Sequence, residues 1–227
     1  MPGKITLEMV FLFSGGKDSC LSIHKLKKDG WRIRALITTV TADYNRVSMH
    51  GIRRELVIKQ ANSMNIPLHI VEIPKDCSDA LYTEIMLEKL NNFKKAGIHY
   101  VGCGDIFLED IRKFREEIFK KLNMRGVFPL WNMNTKELAN EFINLGFRAM
   151  IVCVDTKRLP PSCLGMEINE EFIRTLPPGV DVCGENGEFH SFVYDGPLFK
   201  EKINVKKGKI HTSGCFAFLE ILPESVS

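Results

Sequence analysis

The sequence predicts an α/β protein with a parallel sheet that carries helices on both faces, followed by a smaller C-terminal α+β domain. In the first half of the chain, short apolar runs alternate with longer segments whose apolar residues recur at helical spacing. This alternation is typical of a parallel sheet covered by helices. In the second half it gives way to proline pairs, a glycine-rich stretch and a strand-like tail, which indicates a different architecture.

Four strand–helix pairs make up the predicted parallel sheet. The strands are short apolar or β-branched runs, at residues 9–13, 33–40, 68–73 and 98–102. The helices carry apolar residues at helical spacing, at residues 20–28, 52–64, 78–95 and 108–122. Because parallel strands end at the same edge of a sheet, we expect the loops that follow them to meet there and form a ligand site.

The elements predicted in the second half are shorter. Val127–Trp131 contains a proline and is too short for a central strand. Thr135 is placed to cap a helix that reaches Leu145, and Phe147–Val154 is an apolar strand. Residues 203–222 form a strand-like tail that is divided by turn signals. These elements predict the smaller α+β domain.

A loop of small and charged residues lies between the first predicted strand and the first helix. Its two glycines let the backbone turn sharply and bring N–H groups close to an anion. The helix that follows adds unsatisfied N–H groups and a partial positive charge, while the loop's serines and lysine add further donors. The loop lacks the G-x-x-x-x-G-K-[ST] pattern of the Walker A motif. The sequence therefore predicts a different kind of nucleotide phosphate site, at Ser14, Gly15, Gly16, Lys17, Asp18 and Ser19.

Six further residues end the predicted strands or follow them, and are candidates to contact the nucleotide: Thr39, Val40, Met49, His50, Gly104 and Asp105. Thr39 and Val40 can contact adenine or ribose through the backbone, or simply pack in the strand. Met49 and His50 can cover the adenine from a loop. Asp105 can hold Mg²⁺ or cap the helix that follows it.

Length and composition bound the remaining possibilities. The 227 residues suit two small domains, and we expect a nucleotide-binding domain over residues 1–128 and a substrate-binding domain over residues 129–227. A net charge of +3 gives no whole-protein argument for nucleic-acid binding, so nucleic acid is not an expected partner. The seven cysteines show neither C-x-C nor C-x-x-C spacing, and no apolar run approaches a membrane span. We therefore expect a cytoplasmic protein without a membrane partner; the sequence leaves open whether it forms a homo-oligomer.

The loop resembles the pyrophosphate-binding loop, or PP-loop, of the ATP pyrophosphatases, whose Rossmann-like domains belong to the HUP class. Nearly the whole chain also resembles one branch of that superfamily, the diphthine–ammonia ligase or diphthamide synthase family. Six segments carry this resemblance: Ser14–Ser19, Val47–Gly51, Gly104–Asp105, Phe128–Trp131, Gly184–His190 and Tyr194–Phe199. The loop is specific to the superfamily, whereas the Gly184–His190 segment is more specific to the branch.

The resemblance implies ATP-dependent amidation of the diphthine carboxylate on elongation factor 2 by ammonium. The reaction would pass through an acyl-adenylate and give diphthamide, AMP and pyrophosphate. ATP and Mg²⁺ are the implied cofactors, with Asp18 and Asp105 as candidate metal ligands. Elongation factor 2 is the implied protein partner, and ammonium is the implied nitrogen source because no glutaminase domain is visible.

Site residues follow from the same resemblance. Catalytic roles are implied for Lys17, Asp18, Glu185 and Glu188. Substrate binding is implied for Trp131, Glu185, Asn186, Gly187 and Glu188. The two glutamates are candidates to bind ammonium, to take its proton or to orient the modified histidine, although two acids in such a turn are otherwise often solvated. Trp131 can line the substrate pocket or anchor the two domains.

Two other functions remain open at this point. A PP-loop enzyme can act on another carboxylate or on tRNA; a tRNA-modifying member would have an extended basic surface and often a C-x-x-C pair. A non-catalytic ATP-binding sensor shares the sheet but does not need the late Gly-Glu-Asn-Gly-Glu segment. The nucleotide products of turnover distinguish the enzymes from the sensor, and a change in elongation factor 2 itself distinguishes the acceptors.

Overall fold

The structure, a computed structural model, describes residues 7–224. Within these residues the chain forms ten strands: β1 Glu8–Leu12, β2 Arg32–Thr41, β3 Arg46–Val47, β4 Leu68–Ile73, β5 Tyr100–Gly102, β6 Arg125–Val127, β7 Arg148–Asp155, β8 Phe189–Asp195, β9 Val205–Ser213 and β10 Phe216–Pro223. The α-helices of the same part of the chain are α1 Lys17–Lys28, α2 Arg54–Met64, α3 Asp79–Lys95, α4 Glu109–Lys121, α5 Thr135–Asn144 and α6 Glu170–Thr175.

The first sheet has a parallel core in the order β4-β2-β1-β5-β6, with the short β3 antiparallel to the end of β2. Side chains alternate across it, so Met9 and Phe11 of β1 pack in one apolar cluster with α1 and α2. Val10 packs in the opposite cluster with α3 and α4. Burial on both faces explains why these strands are nearly continuous apolar runs. The predicted parallel sheet with helices on both faces is confirmed.

The second sheet is antiparallel, in the order β8-β7-β10-β9. Its inner side chains belong to the same apolar cluster that covers α1 and α2. The lysine-rich strand β9 forms an exposed edge, where charged side chains oppose pairing with another sheet. This sheet, with α5 and α6, confirms the smaller C-terminal α+β part of the predicted fold.

Some local predictions were wrong in detail. The cap of α5 is Asn134 and not Thr135: its Oδ1 accepts from the N–H groups of Lys136 at 3.0 Å and Glu137 at 3.1 Å. Thr135 instead begins the helix. Helix α1 begins at Lys17, three residues earlier than predicted, so half of the predicted phosphate loop lies in the first helical turn. Within residues 7–224, no helix is both long and apolar enough to cross a bilayer.

Candidate active site

The loop that follows β1 is held in place by β8 of the second sheet. The N–H of Val193 donates to the carbonyl of Gly15 at 3.1 Å, and the Ser191 hydroxyl accepts from the N–H of Lys17 at 3.2 Å. Gly15 has φ +81°, and a Cβ there would lie 2.5 Å from Oε1 of Gln60. Only glycine fits this position without strain. The two sheets therefore meet at the loop, and the cleft beside it is lined by both.

Inside the loop, two serine hydroxyls fix the backbone. Ser14 Oγ accepts from the N–H of Gly16 at 3.3 Å and lies 2.9 Å from Ser19 Oγ. Gly16 is the N-cap of α1 and offers no side chain to its first turn. The positive end of α1 thus opens into the cleft, which has a volume of about 180 Å³, and a helix end of this kind favours an anion.

Lys17 is almost completely buried at the floor of the cleft. Its Nζ donates to the two oxygens of Asp18 at 2.9 and 2.7 Å and to the carbonyl of Cys183, and lies 5.5 Å from the ring centroid of Phe189. Burial opposes the charged ammonium, but the Asp18 carboxylate outweighs it and the pKa of Lys17 is raised. Burial also raises the pKa of Asp18, against the pull of the lysine. The lysine therefore remains a cation.

Glu185 points into the cleft from the loop before β8. Its Oε1 accepts from the N–H of Ile106 at 2.7 Å, which joins this loop to the segment after β5. Burial, with the Asp18 carboxylate as the next cause, raises the pKa of Glu185 to about 7. A carboxyl group with such a pKa can accept and release a proton near neutral pH.

Glu188 has different surroundings although it lies in the same predicted motif. Its side chain is 2% exposed, and its Oε1 accepts from the N–H of Asp181 and from Nδ2 of Asn186, both at 3.0 Å. Gly187, with φ +84°, makes the tight turn between them. Glu188, Asn186 and Gly187 therefore stabilise the conformation of the loop through its internal hydrogen bonds and turn. They are not among the residues that line the cleft.

Gly104 and Asp105 form the opposite wall. A Cβ on Gly104 would lie 3.1 Å from the N of Ser19, so this wall approaches the start of α1 closely. Asp105 pairs with Arg115 of α4, whose Nε lies 3.1 and 3.0 Å from the two carboxylate oxygens. The carboxylate therefore serves an ion pair rather than a helix cap. Both members of this pair line the cleft.

Two histidines complete the lining. The imidazoles of His50, from the loop after β3, and His190, from β8, have centroids 4.4 Å apart. Burial lowers the pKa of His50 well below its ordinary value, and His190 and Lys17 add to this effect. Burial and then Lys17 lower the pKa of His190 to about 4. Both rings are neutral near pH 7.

Besides Asn186, Gly187 and Glu188, four further predicted site residues lie away from this cleft in the part of the chain that the structure describes. The carbonyl of Thr39 accepts from the N–H of Ser48, and Val40 is fully buried in the sheet. Met49 is 70% exposed. Trp131 packs on the guanidinium of Arg112, whose Cζ lies 4.5 Å from the centroid of the tryptophan ring. The structure therefore brings the loop together with His50, Gly104, Asp105 and Glu185, but not with these four residues.

Several lining or supporting residues were not singled out from the sequence: Gln60, Arg115, Cys183, His190 and Ser191. For Gln60 a signal existed, because it is a polar residue on the apolar stripe of a predicted helix. It is fully buried, and its Nε2 donates to the carbonyls of Gly15 at 2.9 Å and Val193 at 2.6 Å. A buried amide at such a position indicates a hydrogen-bonding task.

We expect Gln60→Met to weaken the contact between the phosphate loop and β8, because it removes the hydrogen bonds from Gln60 to both. The thioether fills similar space but cannot donate, which leaves the Val193 carbonyl without this donor and costs about 1–3 kcal/mol. Denaturant unfolding should show this loss, and nucleotide affinity should fall as well. Lys59→Met, on the exposed side of the same helix, is the matched control and should change stability by less than about 0.5 kcal/mol. Equal stability of the two variants would contradict the role assigned to Gln60.

A parallel α/β sheet with an anion site at the carboxyl end of its first strand, facing titratable side chains, defines a nucleotide-binding α/β enzyme. Comparisons with known proteins narrow this class. The model of the diphthamide synthase N-terminal domain matches residues 7–126, and that of the diphthamide synthase C-terminal domain matches residues 134–225. The chain belongs to the diphthamide synthase family, and the protein is an ATP-dependent ligase.

Individual relatives agree with this assignment. The chain is 32% identical to a human diphthine–ammonia ligase, over 97% of this chain and 94% of that protein. It is 30% identical to the diphthine–ammonia ligase of Bos taurus, over 95% of this chain and 89% of that protein. Among solved structures it resembles a predicted subunit of tRNA methyltransferase from Methanocaldococcus jannaschii, with a TM-score of 0.46 and 16% identity over 87% of this chain and 100% of that one. That structural likeness is too remote to bear on function.

Proposed function

We propose that this protein amidates the diphthine carboxylate of elongation factor 2 with ammonium, through an acyl-adenylate, and releases AMP and pyrophosphate. The observation that carries the proposal is the cleft itself. One wall is an anion site built from the loop and α1, and Glu185, whose pKa is about 7, faces it from the other side. Phosphate binding and proton transfer at neutral pH thus share one small volume.

Activation of the carboxylate is the task of the loop wall. A carboxylate oxygen of the substrate attacks the α-phosphorus of ATP, and the bond to the β-phosphate breaks as pyrophosphate leaves. The loop N–H groups, the end of α1 and Lys17 hold the β- and γ-phosphates as their charge increases. Adenylation removes the negative charge that protects a carboxylate from attack and supplies AMP as a leaving group.

Amide formation is the task of the Glu185 side. Ammonium must lose a proton before its nitrogen attacks the acyl carbon, and Glu185 in its ionised form accepts that proton. The new C–N bond forms, the added nitrogen releases a second proton to solvent, and AMP leaves with the electron pair of the broken C–O bond. Glu188 and Asn186 act as positioning residues, because their hydrogen bonds hold the loop that carries Glu185.

The carboxylates that line the cleft can accommodate Mg²⁺. In the part of the chain that the structure describes, no group of three or more acidic, histidine or cysteine side chains forms a dedicated metal cage. Mg²⁺ commonly binds through one or two carboxylates together with substrate phosphates. Asp18 and Asp105 are the carboxylates that would hold it, since the buried Asp105 oxygen that lies 3.0 Å from Nε of Arg115 accepts no hydrogen bond and keeps lone pairs for a cation. Bound there, Mg²⁺ would neutralise phosphate charge.

Mass spectrometry of diphthine-bearing elongation factor 2, incubated with the protein, ATP and ammonium, tests the proposal. We expect the mass decrease that corresponds to replacement of a carboxylate hydroxyl by an amino group, and only when ATP and ammonium are both present. AMP formation without any change in the factor would reject this acceptor. In that case another carboxylate would be the substrate, the alternative that keeps the same site.

A further inference from the structure

The His50–His190 pair lies directly over the phosphate loop. The Cε1 atom of His50 is 3.1 Å, and the carbonyl oxygen of Ser191 3.3 Å, from the position that a Cβ on Gly16 would take. Gly16 is the N-cap of α1, so the imidazole covers the start of the anion site. His190 contacts this ring from β8. The pair thus borders the space where a phosphate would sit.

One atom of the pair has no partner. Within residues 7–224, Nδ1 of His50 is buried and makes no hydrogen bond, although it lies on a residue that lines the cleft. Buried polar atoms in folded proteins are nearly always hydrogen-bonded, so an unpaired one in a ligand cleft indicates a contact that the ligand completes. An imidazole nitrogen can donate to phosphate when it carries a proton.

The fixed charges of the cleft do not suit a polyphosphate. Its lining contains two permanent cations, Lys17 and Arg115, and three carboxylates, Asp18, Asp105 and Glu185. Lys17 is already paired with Asp18, and Arg115 with Asp105. With all three acids ionised, two cations and three anions leave a net side-chain charge of −1, and protonation of Glu185, whose pKa is about 7, brings this to zero. The lining side chains thus supply no net positive charge, and an added positive charge favours binding of a highly charged anion.

We propose that the His50–His190 pair takes up a proton when the polyphosphate of a nucleotide binds the loop, and that the resulting imidazolium becomes a phosphate ligand. This inference rests on the nucleotide site of the proposed function. It assigns His190 to that site and gives His50 a contact with phosphate rather than with adenine. Only one proton is expected, because two imidazolium rings in contact would repel each other.

The groups around the pair explain why the proton arrives with the ligand. Burial is the main reason that both rings are neutral in the free protein, and Lys17 on α1 is the charged group that adds to this effect at both. On β7, the register partner of His190 is Cys153, a buried thiol. A nearby anion favours a charged imidazolium and typically raises its pKa by about 1–3 units. A pKa of about 4 for His190 would then move toward the neutral range.

Calorimetric titration with α,β-methylene-ATP, in buffers of different ionisation enthalpy at pH 6 and pH 8, measures the proton uptake. At pH 6 we expect the wild-type protein to take up about half a proton or more per nucleotide beyond His190→Gln, and to bind about fivefold more tightly. The affinities should converge at pH 8. His99→Gln, at an exposed histidine outside the cleft, makes the same substitution and should match the wild-type protein at both pH values.

Comparison between variants cancels the nucleotide's own protonation and that of Glu185. Because His190 lies half-buried in β8, its variant can fail to fold. The imidazole carbon shifts of wild-type His50 and His190 therefore provide a second measurement. Movement of one ring toward the imidazolium shift on nucleotide binding is the expected result. Binding with equal proton uptake in all variants and no such shift would overturn the inference and leave the proposed function standing. Absence of binding to the wild-type protein would overturn both.

Discussion

A methionine in place of Lys17 is expected to slow AMP formation by about a hundred- to a thousandfold, the typical effect of removing one donor from a developing charge. Lys17 supplies the only full positive charge within the loop Ser14–Ser19, and its Nζ lies at the floor of the cleft. Steady-state turnover with saturating acceptor, followed by AMP release, measures the effect. Wild-type turnover in this variant would contradict the role of the lysine.

The same substitution should also lower stability. It leaves the Asp18 carboxylate, whose side chain is 27% exposed, without its ion-pair partner. Losing the partner of a buried charge costs up to about 3–5 kcal/mol, and partial exposure reduces this figure. The double variant Lys17→Met/Asp18→Asn removes both charges and should regain much of that free energy of unfolding without regaining activity. This pair of variants separates a loss of chemistry from a loss of fold.

The second large effect is expected for Glu185→Gln. The amide oxygen can still accept from the N–H of Ile106, so the loop should keep its place. The amide cannot take a proton from ammonium, and losing a general base typically lowers kcat by about 10²–10⁴-fold. Thermal unfolding close to that of the wild-type protein is the control that the fold survives.

The pH profile gives this prediction a distinctive sign. Since the pKa of Glu185 is raised to about 7, its base form is lost as the pH falls below neutrality. Wild-type activity should therefore rise through pH 7, and Glu185→Gln should lack this rise. In Glu188→Gln, the glutamate that only holds the loop, turnover and stability should fall together while the rise remains. Loss of the pH 7 limb in Glu188→Gln instead would reverse the two roles.

The first sheet was predictable because its signals are local. A continuous apolar run such as Met9–Phe13 indicates a strand that is buried on both faces of the sheet. Each helix likewise shows its apolar face as a helical spacing of apolar residues within a few turns. Strand β8 was not predicted, because it follows a glycine-rich stretch and carries His190 and Ser191 toward the phosphate loop. Its pairing with β7 and its contact with Gly15 join distant parts of the chain, and no local pattern reports such contacts.

The candidate site was predictable to a similar extent. Glycine, serine and lysine chemistry alone indicated the phosphate loop, and the resemblance pointed to the loop before β8. Spacing alone could not separate Glu185 from Glu188, since two acids in one tight turn look equivalent in sequence. Tertiary packing decides that Glu185 faces the cleft while Glu188 is buried among loop donors. Arg115 could not be predicted from the sequence either, because it is one of many charged residues on the amphipathic helix α4 and only tertiary packing places it in the cleft.

Phosphorus NMR of the nucleotide products is the most direct test of the chemistry assigned to this cleft. The protein would be incubated with ATP, Mg²⁺, ammonium and diphthine-bearing elongation factor 2, with each omitted in turn. We predict AMP and pyrophosphate in equal amounts, formed in step with amidation of the factor. ADP and phosphate as products would mean that the loop does not hold the β- and γ-phosphates as one leaving group, and would contradict adenylation of the carboxylate.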